Sequence, residues 1–252
     1  MDIENAVIQG RAISIGDLKT ALDKSYSKTK VKSGFGDFQV DGDLTTKETQ
    51  TYVNPKTGQV LVVHRGTQGL RDVFTDIAYT ATGYKGKRFK DANKIQKLAE
   101  TKYGAKNIST LGHSLGSLVS SDVGSNSKEI INYNKPVIPW SRKRENEYNI
   151  FTGNDPFSWF HKPRKTDKHV KIESDTINPI QEHSINRLDK LHDEMMIGEG
   201  IRKMKMADLK QMVRNYNRHQ RKPQMKIKGY GKMKKQELRA SILEKLKNDM
   251  TC

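Results

Sequence analysis

One stretch, Ile108 to Val119 (ISTLGHSLGSLV), constrains the fold more than any other. A short β-branched run, Ile108 to Leu111, feeds Gly112, His113, Ser114, Leu115 and Gly116, and a small, apolar segment suited to starting a helix follows. A serine held on a sharp strand-to-helix turn presents its hydroxyl as a nucleophile. Such a turn brings backbone against backbone, so it needs residues without a Cβ two places before and two after the serine, where Gly112 and Gly116 stand. The bare G-x-S-x-G pattern recurs by chance in chains of this length, and it is the strand before it and the helix after it that give it meaning. The plain alternative for Ser114 is a helix cap.

The neighbouring segments predict a mostly parallel sheet. Alternation over Lys47 to Tyr52, a turn at Asn54 to Gly58 and the buried run Gln59 to His64 (QVLVVH) read as a hairpin. Phe89, Ala92, Ile95, Leu98 and Ala99 recur at three- and four-residue steps, which predicts an amphipathic helix over Lys87 to Tyr103, ended by Gly104. A helix between QVLVVH and ISTLGHS is a βαβ crossover, so the fold class is α/β. An earlier helix is expected over Asp17 to Ser25, with Ser14 as cap. Tyr148 to Thr152 and His169 to Glu173 read as later strands, and His183 to Glu194 as a helix. The stretch from Asn132 to Asn146 has no clear period.

Charge divides the chain unevenly. Residues 198–252 hold 16 Lys and Arg against 5 Asp and Glu, so +11 of the total +17 sits in the last 55 positions. The expected organisation is an α/β domain over residues 1–197, a linker over 198–205 containing Gly198 and Gly200, and a basic module over 206–252. In that module Leu209, Met212, Val213 and Tyr216 mark one helix face within Met206 to Asn217. Leu238, Ile242, Leu243 and Leu246 mark another within Lys234 to Lys247. The sole cysteine is Cys252, which argues against a disulfide framework, a thiol nucleophile or a Cys-based zinc site. No transmembrane segment and no secretory signal are expected: there is no run of about 18 apolar residues, and MDIENAVIQGRAIS lacks the basic-then-apolar pattern.

A serine nucleophile needs a histidine to take its proton and an acid to orient that histidine. Asp155 follows the strand-like EYNIFTG in the run Gly153-Asn154-Asp155-Pro156, and His183 comes 28 residues later in NPIQEHS. Over residues 47–195 the chain resembles the class 3, fungal-type triacylglycerol lipases of the α/β-hydrolase superfamily. Four segments carry the resemblance in order: LVVHRGTQGLRDVFTDI, LGHSLGS, FTGNDPF and EHSINRL. It implies Ser114 as nucleophile, Asp155 as acid and His183 as base. It further implies an oxyanion hole from the backbone of Thr67 and Leu115, a turn held by Asp76, and no metal or cofactor. The substrate class it implies is an ester or lipid.

The chain departs from that family at His64, where a large apolar residue is more usual, and at Ser117, where a third glycine is usual. The segment IAYTATGYKGKR between Asp76 and Phe89 is short and poor in large apolar residues, which leaves soluble esters, phospholipids and polar lipids all open as substrates. His161, His169 and His192 compete with His183 for the role of base. No histidine pair has the i, i+4 spacing of a zinc peptidase helix, so no metal site is expected.

The tail segments MKMADLKQMVRNYNRHQRK and IKGYGKMKKQELRASILEKL resemble a SAP-like helix-loop-helix, and look like versions in proteins of large DNA viruses and their satellite viruses. The resemblance implies nucleic-acid binding, with Lys226, Lys228, Lys232, Lys234 and Lys235 about the loop as phosphate contacts. An anionic membrane surface would also attract this charge. The expected location is the host cytoplasm, or the virion. The sequence thus points to a serine hydrolase of carboxylic esters tethered to a nucleic-acid-binding module. The alternative is a nonenzymatic, virion-associated nucleic-acid-binding protein on a degenerate hydrolase scaffold; acyl transfer and amide hydrolysis use the same chemistry of attack.

Overall fold

A computed structural model of the chain describes residues 13–67, 86–138, 144–155 and 168–190 except 173, 175 and 177. Further on it describes 206–207, 210, 213–214, 217, 227–238 and 240–242. The chain parts into two units, Met1–Asp189 and Lys190–Cys252.

The first unit is built on a seven-stranded sheet whose strands lie side by side in chain order: β1 (Gln39–Val40), β2 (Thr49–Val53), β3 (Val60–His64), β4 (Ile108–His113), β5 (Glu129–Tyr133), β6 (Glu147–Thr152) and β7 (Lys168–Ile172). The first three pair antiparallel, and β3 to β7 pair parallel. The turn between β2 and β3 follows from its residues: Asn54 Oδ1 accepts from Lys56 and Thr57 N–H, and Gly58 takes a φ of 74°. All of β3 and β4 is buried, as parallel strands covered on both faces must be.

Three helices cover the sheet. Helix α1 (Ile15–Ser25) starts at Ser14, whose hydroxyl accepts from Asp17 N–H at 3.0 Å. Helix α2 (Lys87–Tyr103) ends at Gly104, at φ 81°, and helix α3 (Leu115–Val123) runs out of the serine turn. The crossovers through α2 and α3 step the same way along the sheet, which puts right-handed crossover helices on one face. There Phe89 and Ala92 of α2 pack with Leu115, Leu118 and Val119 of α3. Val60 and Val62 meet Ile95 and Ala99 on that face. Alternation then sends Leu111, His113, Ile131 and Tyr133 to the opposite face, and Tyr26, which caps α1, reaches His113 there.

Three expectations differ from the structure. Strand β4 runs on to His113, because the pairing Gly112 with Asn132 and His113 with Tyr133 continues the ladder into the glycine turn. Strand β5 (EIINY) has no counterpart in the sequence reading: its Glu129 and Asn132 look like surface residues but are buried. Ser109 Oγ donates to Glu129 at 2.7 Å, and Ser120 and Ser121 bond Asn132 at 2.5 and 2.9 Å. The helix expected over His183 to Glu194 is broken at its start. A four-residue helix, α4 (Pro179–Glu182), precedes His183, a 3-10 turn (Ile185–Arg187) follows, and helical residues resume at 188–190. Ser184 Oγ accepts from Asn186 N–H at 3.2 Å and restarts the chain there. Beyond 190 the expected helix lies outside the described residues.

In the second unit Val213, Ile227, Leu238 and Ile242 are buried together, with Met206, Tyr230 and Met233 packed against them. Asn217 clamps the connecting segment with two hydrogen bonds, Nδ2 donating to Ile227 C=O at 2.9 Å and Oδ1 accepting from Ile227 N–H at 2.8 Å. Residues 235–238 are helical, and Glu237 accepts from Lys234 N–H at 2.9 Å, a carboxylate reaching back to the helix start. The expected linker, 198–205, lies outside the described residues.

Candidate active site

Ser114 sits between β4 and α3 with φ 56° and ψ −129°, a conformation costly for a residue with a Cβ. The two glycines permit the turn. A Cβ on Gly112 would overlap Gly116 C=O, and one on Gly116 would overlap His64 C=O and come within 2.8 Å of Arg65 C. Ser114 N–H donates to Tyr133 C=O at 3.0 Å and Ser117 N–H to Ser114 C=O at 2.9 Å, so the backbone is held on both sides. The side chain caps nothing: Ser114 Oγ is buried and makes no hydrogen bond among the described residues.

Asp155 and His183 come together from separate loops. Asp155 lies just past β6, fully buried, and its Oδ1 accepts from His183 Nδ1 at 2.7 Å. A carboxylate on Nδ1 leaves Nε2 as the basic nitrogen. The His183 side chain is 7% exposed, and its ring centroid stands 4.9 Å from that of His113, the residue before Ser114. Tyr133 ties the two segments: its carbonyl accepts from Ser114 N–H and, at 3.1 Å, from Ser117 Oγ, while its hydroxyl donates to Ser184 C=O at 2.9 Å.

The Arg-Gly-Thr turn after β3 meets the same place. A Cβ on Gly66 would overlap the Tyr26 hydroxyl and lie 2.8 Å from His113 C=O and 3.1 Å from the Ser114 Cβ, so only glycine lets the turn approach the serine. Thr67 follows directly and is half-buried; Leu115 is the buried first residue of α3. Asp76 and most of the segment from Asp76 to Phe89 lie outside the described residues. His64 is fully buried on β3, where its Nδ1 shares a hydrogen bond with Thr49 Oγ1 at 3.0 Å. Burial first, and the Arg88 charge second, push it down to about 3, so it is neutral.

Of the competing histidines, His169 stacks on Phe151 at 6.0 Å between centroids, away from this cluster on β7, while His161 and His192 lie outside the described residues. Sequence reasoning missed Tyr26, Tyr133, Asn134, Thr152 and Glu182 around the histidine loop. The one available signal was positional, since a βαβ unit that enters α3 must leave it by another strand, and EIINY is the next β-prone run. Among the described residues no three His, Cys, Asp or Glu side chains gather about a point where a metal ion would fit. None of the described helices is long and apolar enough to cross a membrane. In the second unit Lys228, Lys232, Lys234 and Lys235 are exposed around the turn at Gly229, and Lys226 lies outside the described residues.

No protein-family model matches the sequence, and no curated protein matches it. Among solved structures the chain is similar to the Lip2 lipase from Yarrowia lipolytica, with 17% identity over 55% of this chain and 67% of that one and a TM-score of 0.33.

Proposed function

We propose that the first unit is a serine hydrolase that cleaves carboxylic esters through Ser114, His183 and Asp155. The observation that carries this reading is the conjunction of a buried hydroxyl on a strained turn, unbonded among the described residues, with an Asp155–His183 pair at 2.7 Å whose histidine ring lies 4.9 Å from that of His113, the residue before Ser114. Strain is retained where surrounding structure enforces it, and here two glycines and the Tyr133 carbonyl do so.

In the reaction Ser114 Oγ attacks the ester carbonyl carbon as its proton passes to His183 Nε2, and Asp155 stabilises the imidazolium through Nδ1. The carbonyl oxygen becomes an oxyanion held by the backbone N–H groups of Thr67 and Leu115. The C–O bond to the alcohol breaks as His183 returns the proton to the leaving oxygen. Water then attacks the acyl-enzyme, giving its proton to His183, and the acid departs as Ser114 is restored. The resemblance of four segments to class 3 lipases favours this chemistry on an acyl ester of a lipid or a small soluble alcohol.

The second unit is read as a SAP-like module that binds nucleic acid through phosphate contacts. Its support is the net charge of +11 over residues 198–252 and the exposure of Lys228, Lys232, Lys234 and Lys235 about one turn.

Two measurements test the two halves. Turnover of short and long acyl esters should fall by about 10⁴-fold or more in Ser114→Ala and His183→Ala. Turnover unchanged in either variant places the chemistry elsewhere. Duplex DNA binding by the full chain should weaken with salt, and replacing the five lysines by Gln should flatten that slope. Equal binding to anionic vesicles, with none to DNA, would make the module a membrane-surface device.

A further inference from the structure

The loop that carries His183 is gripped through its backbone. Three consecutive carbonyls, those of Glu182, His183 and Ser184, each accept a hydrogen bond from a side chain at the end of the sheet. Asn134 Nδ2 and Thr152 Oγ1 donate to Glu182 C=O at 3.0 and 2.7 Å. His113 Nε2 lies 2.9 Å from His183 C=O, and Tyr133 Oη donates to Ser184 C=O at 2.9 Å. All four donor residues are buried. A loop lacks a ladder to satisfy its carbonyls, so the bonds meet a real need; four buried donors converging on three successive peptides also remove the loop's freedom to shift.

The hydrogen positions follow from chemistry. Asn134 Oδ1 accepts from Thr152 N–H at 2.9 Å, so its amide nitrogen must be the group facing Glu182. A carbonyl only accepts, so the His113 proton is on Nε2. Its Nδ1 lies 2.6 Å from the Tyr26 hydroxyl, and in the neutral ring that nitrogen accepts. Burial, followed by the neighbouring His183, holds His113 well below the usual histidine range, consistent with a neutral ring. The Tyr26 hydroxyl in turn sits against Gly66, where a Cβ would overlap it, so one chain of contacts runs from the Arg-Gly-Thr turn through Tyr26 and His113 to the backbone of His183.

We propose that His113, held in its Nε2–H tautomer by the Tyr26 hydroxyl, is a positioning residue that fixes the His183 imidazole through its own backbone carbonyl. This rests on the hydrolase reading above for its catalytic consequence. Displacement of a reacting group by about 1 Å costs on the order of 100-fold in rate, and His113 is the only one of the four grips that bonds the histidine's own peptide carbonyl.

The test uses the full chain and three variants. His113→Leu removes the donor, His113→Gln returns an N–H close to the position of Nε2, and Tyr26→Phe removes the hydroxyl that selects the tautomer while keeping the ring. Ester turnover is read as kcat and KM separately, and the downfield proton resonance of His183 Nδ1–H, deshielded by the short bond to Asp155, is read by NMR without any substrate. The expected result is a kcat about 10- to 100-fold lower in His113→Leu at little changed KM, a smaller loss in Tyr26→Phe, and recovery to within a few-fold of wild type in His113→Gln. The resonance should broaden or shift in His113→Leu and return in His113→Gln. That pattern supports the clamp even if the wild-type protein hydrolyses no ester, a result that would sink the hydrolase reading alone. A resonance and a kcat unaltered in His113→Leu overturn the proposal, as does a His113→Gln variant no better than His113→Leu.

Discussion

Replacing Ser114 by alanine should stabilise the protein, and the sign is the informative part. A serine that caps a helix contributes about 0.5–2 kcal/mol, which the alanine variant would forfeit. Here the hydroxyl caps nothing; it is 1% exposed at the residue level, and its oxygen makes no hydrogen bond among the described residues. Leaving a buried polar group unsatisfied costs about 1–3 kcal/mol, so removing Oγ should return about 1–2 kcal/mol after a small loss of packing. For a unit of this size that is a rise in Tm of about 2–8 °C. Ser114→Gly should gain by a second route, since glycine adopts φ 56° without the roughly 1–3 kcal/mol strain, offset by about 0.5–1 kcal/mol of backbone entropy. Thermal unfolding followed by calorimetry, at one protein concentration and pH, reads both variants. A Ser114→Ala protein that melts several degrees below wild type would mean that the hydroxyl is structural, and the argument from an unbonded nucleophile would be lost.

Three further outcomes follow from the same structure. Gly116→Ala should cost about 1–3 kcal/mol or more by denaturant titration, because its Cβ would overlap the His64 carbonyl, which belongs to the fully buried strand β3 and has no room to retreat. Lys135→Met should cost about 3–5 kcal/mol: Lys135 Nζ and Glu147 Oε1 pair at 2.6 Å with both side chains buried, so the variant strands a carboxylate whose other partner among the described residues is Asn149 Nδ2 at 3.1 Å. Stability should fall on acidification. His64, pushed down to about 3 from an unfolded value near 6.5, stays unprotonated in the fold while the unfolded chain takes up a proton, so stability is full above about pH 6.5 and declines by about 1.4 kcal/mol per pH unit below it. His113 is shifted in the same direction and adds to the slope. Urea midpoints at several pH values between 7 and 4.5 check this, and a His64→Gln variant should show a shallower decline.

The elements that the sequence made legible are those whose signal is local. The Asn54–Gly58 turn, the period of α2 with its glycine stop and the spacing of Gly112 and Gly116 each depend on residues within a few positions of one another, and each is where the pattern placed it. Strand β5 is not legible because its Glu129 and Asn132 are satisfied by Ser109, Ser120 and Ser121, partners 11 to 20 positions away that no periodicity reveals. The start of the histidine loop reads as helix because its apolar spacing is helical, whereas the carbonyls of Glu182 to Ser184 are taken by side chains at the end of the sheet and are not available to a helix. The sharp turn at Ser114 and the pairing of Asp155 with His183 are legible from motif and chain order, and their catalytic roles belong to the proposal above. Tyr26 is not legible, because the contact that gives it a role spans 87 residues.

The most direct test of the account is covalent capture of the proposed nucleophile. The full chain is treated with a fluorophosphonate, and its intact mass and the modified peptide are read by mass spectrometry beside Ser114→Ala. Attack on phosphorus draws on nucleophile, base and oxyanion hole together. A single adduct on Ser114, absent from Ser114→Ala and much slower to form in His183→Ala, is the result predicted here. A folded wild-type protein that gains no adduct, or gains it on another residue, would contradict the hydrolase reading.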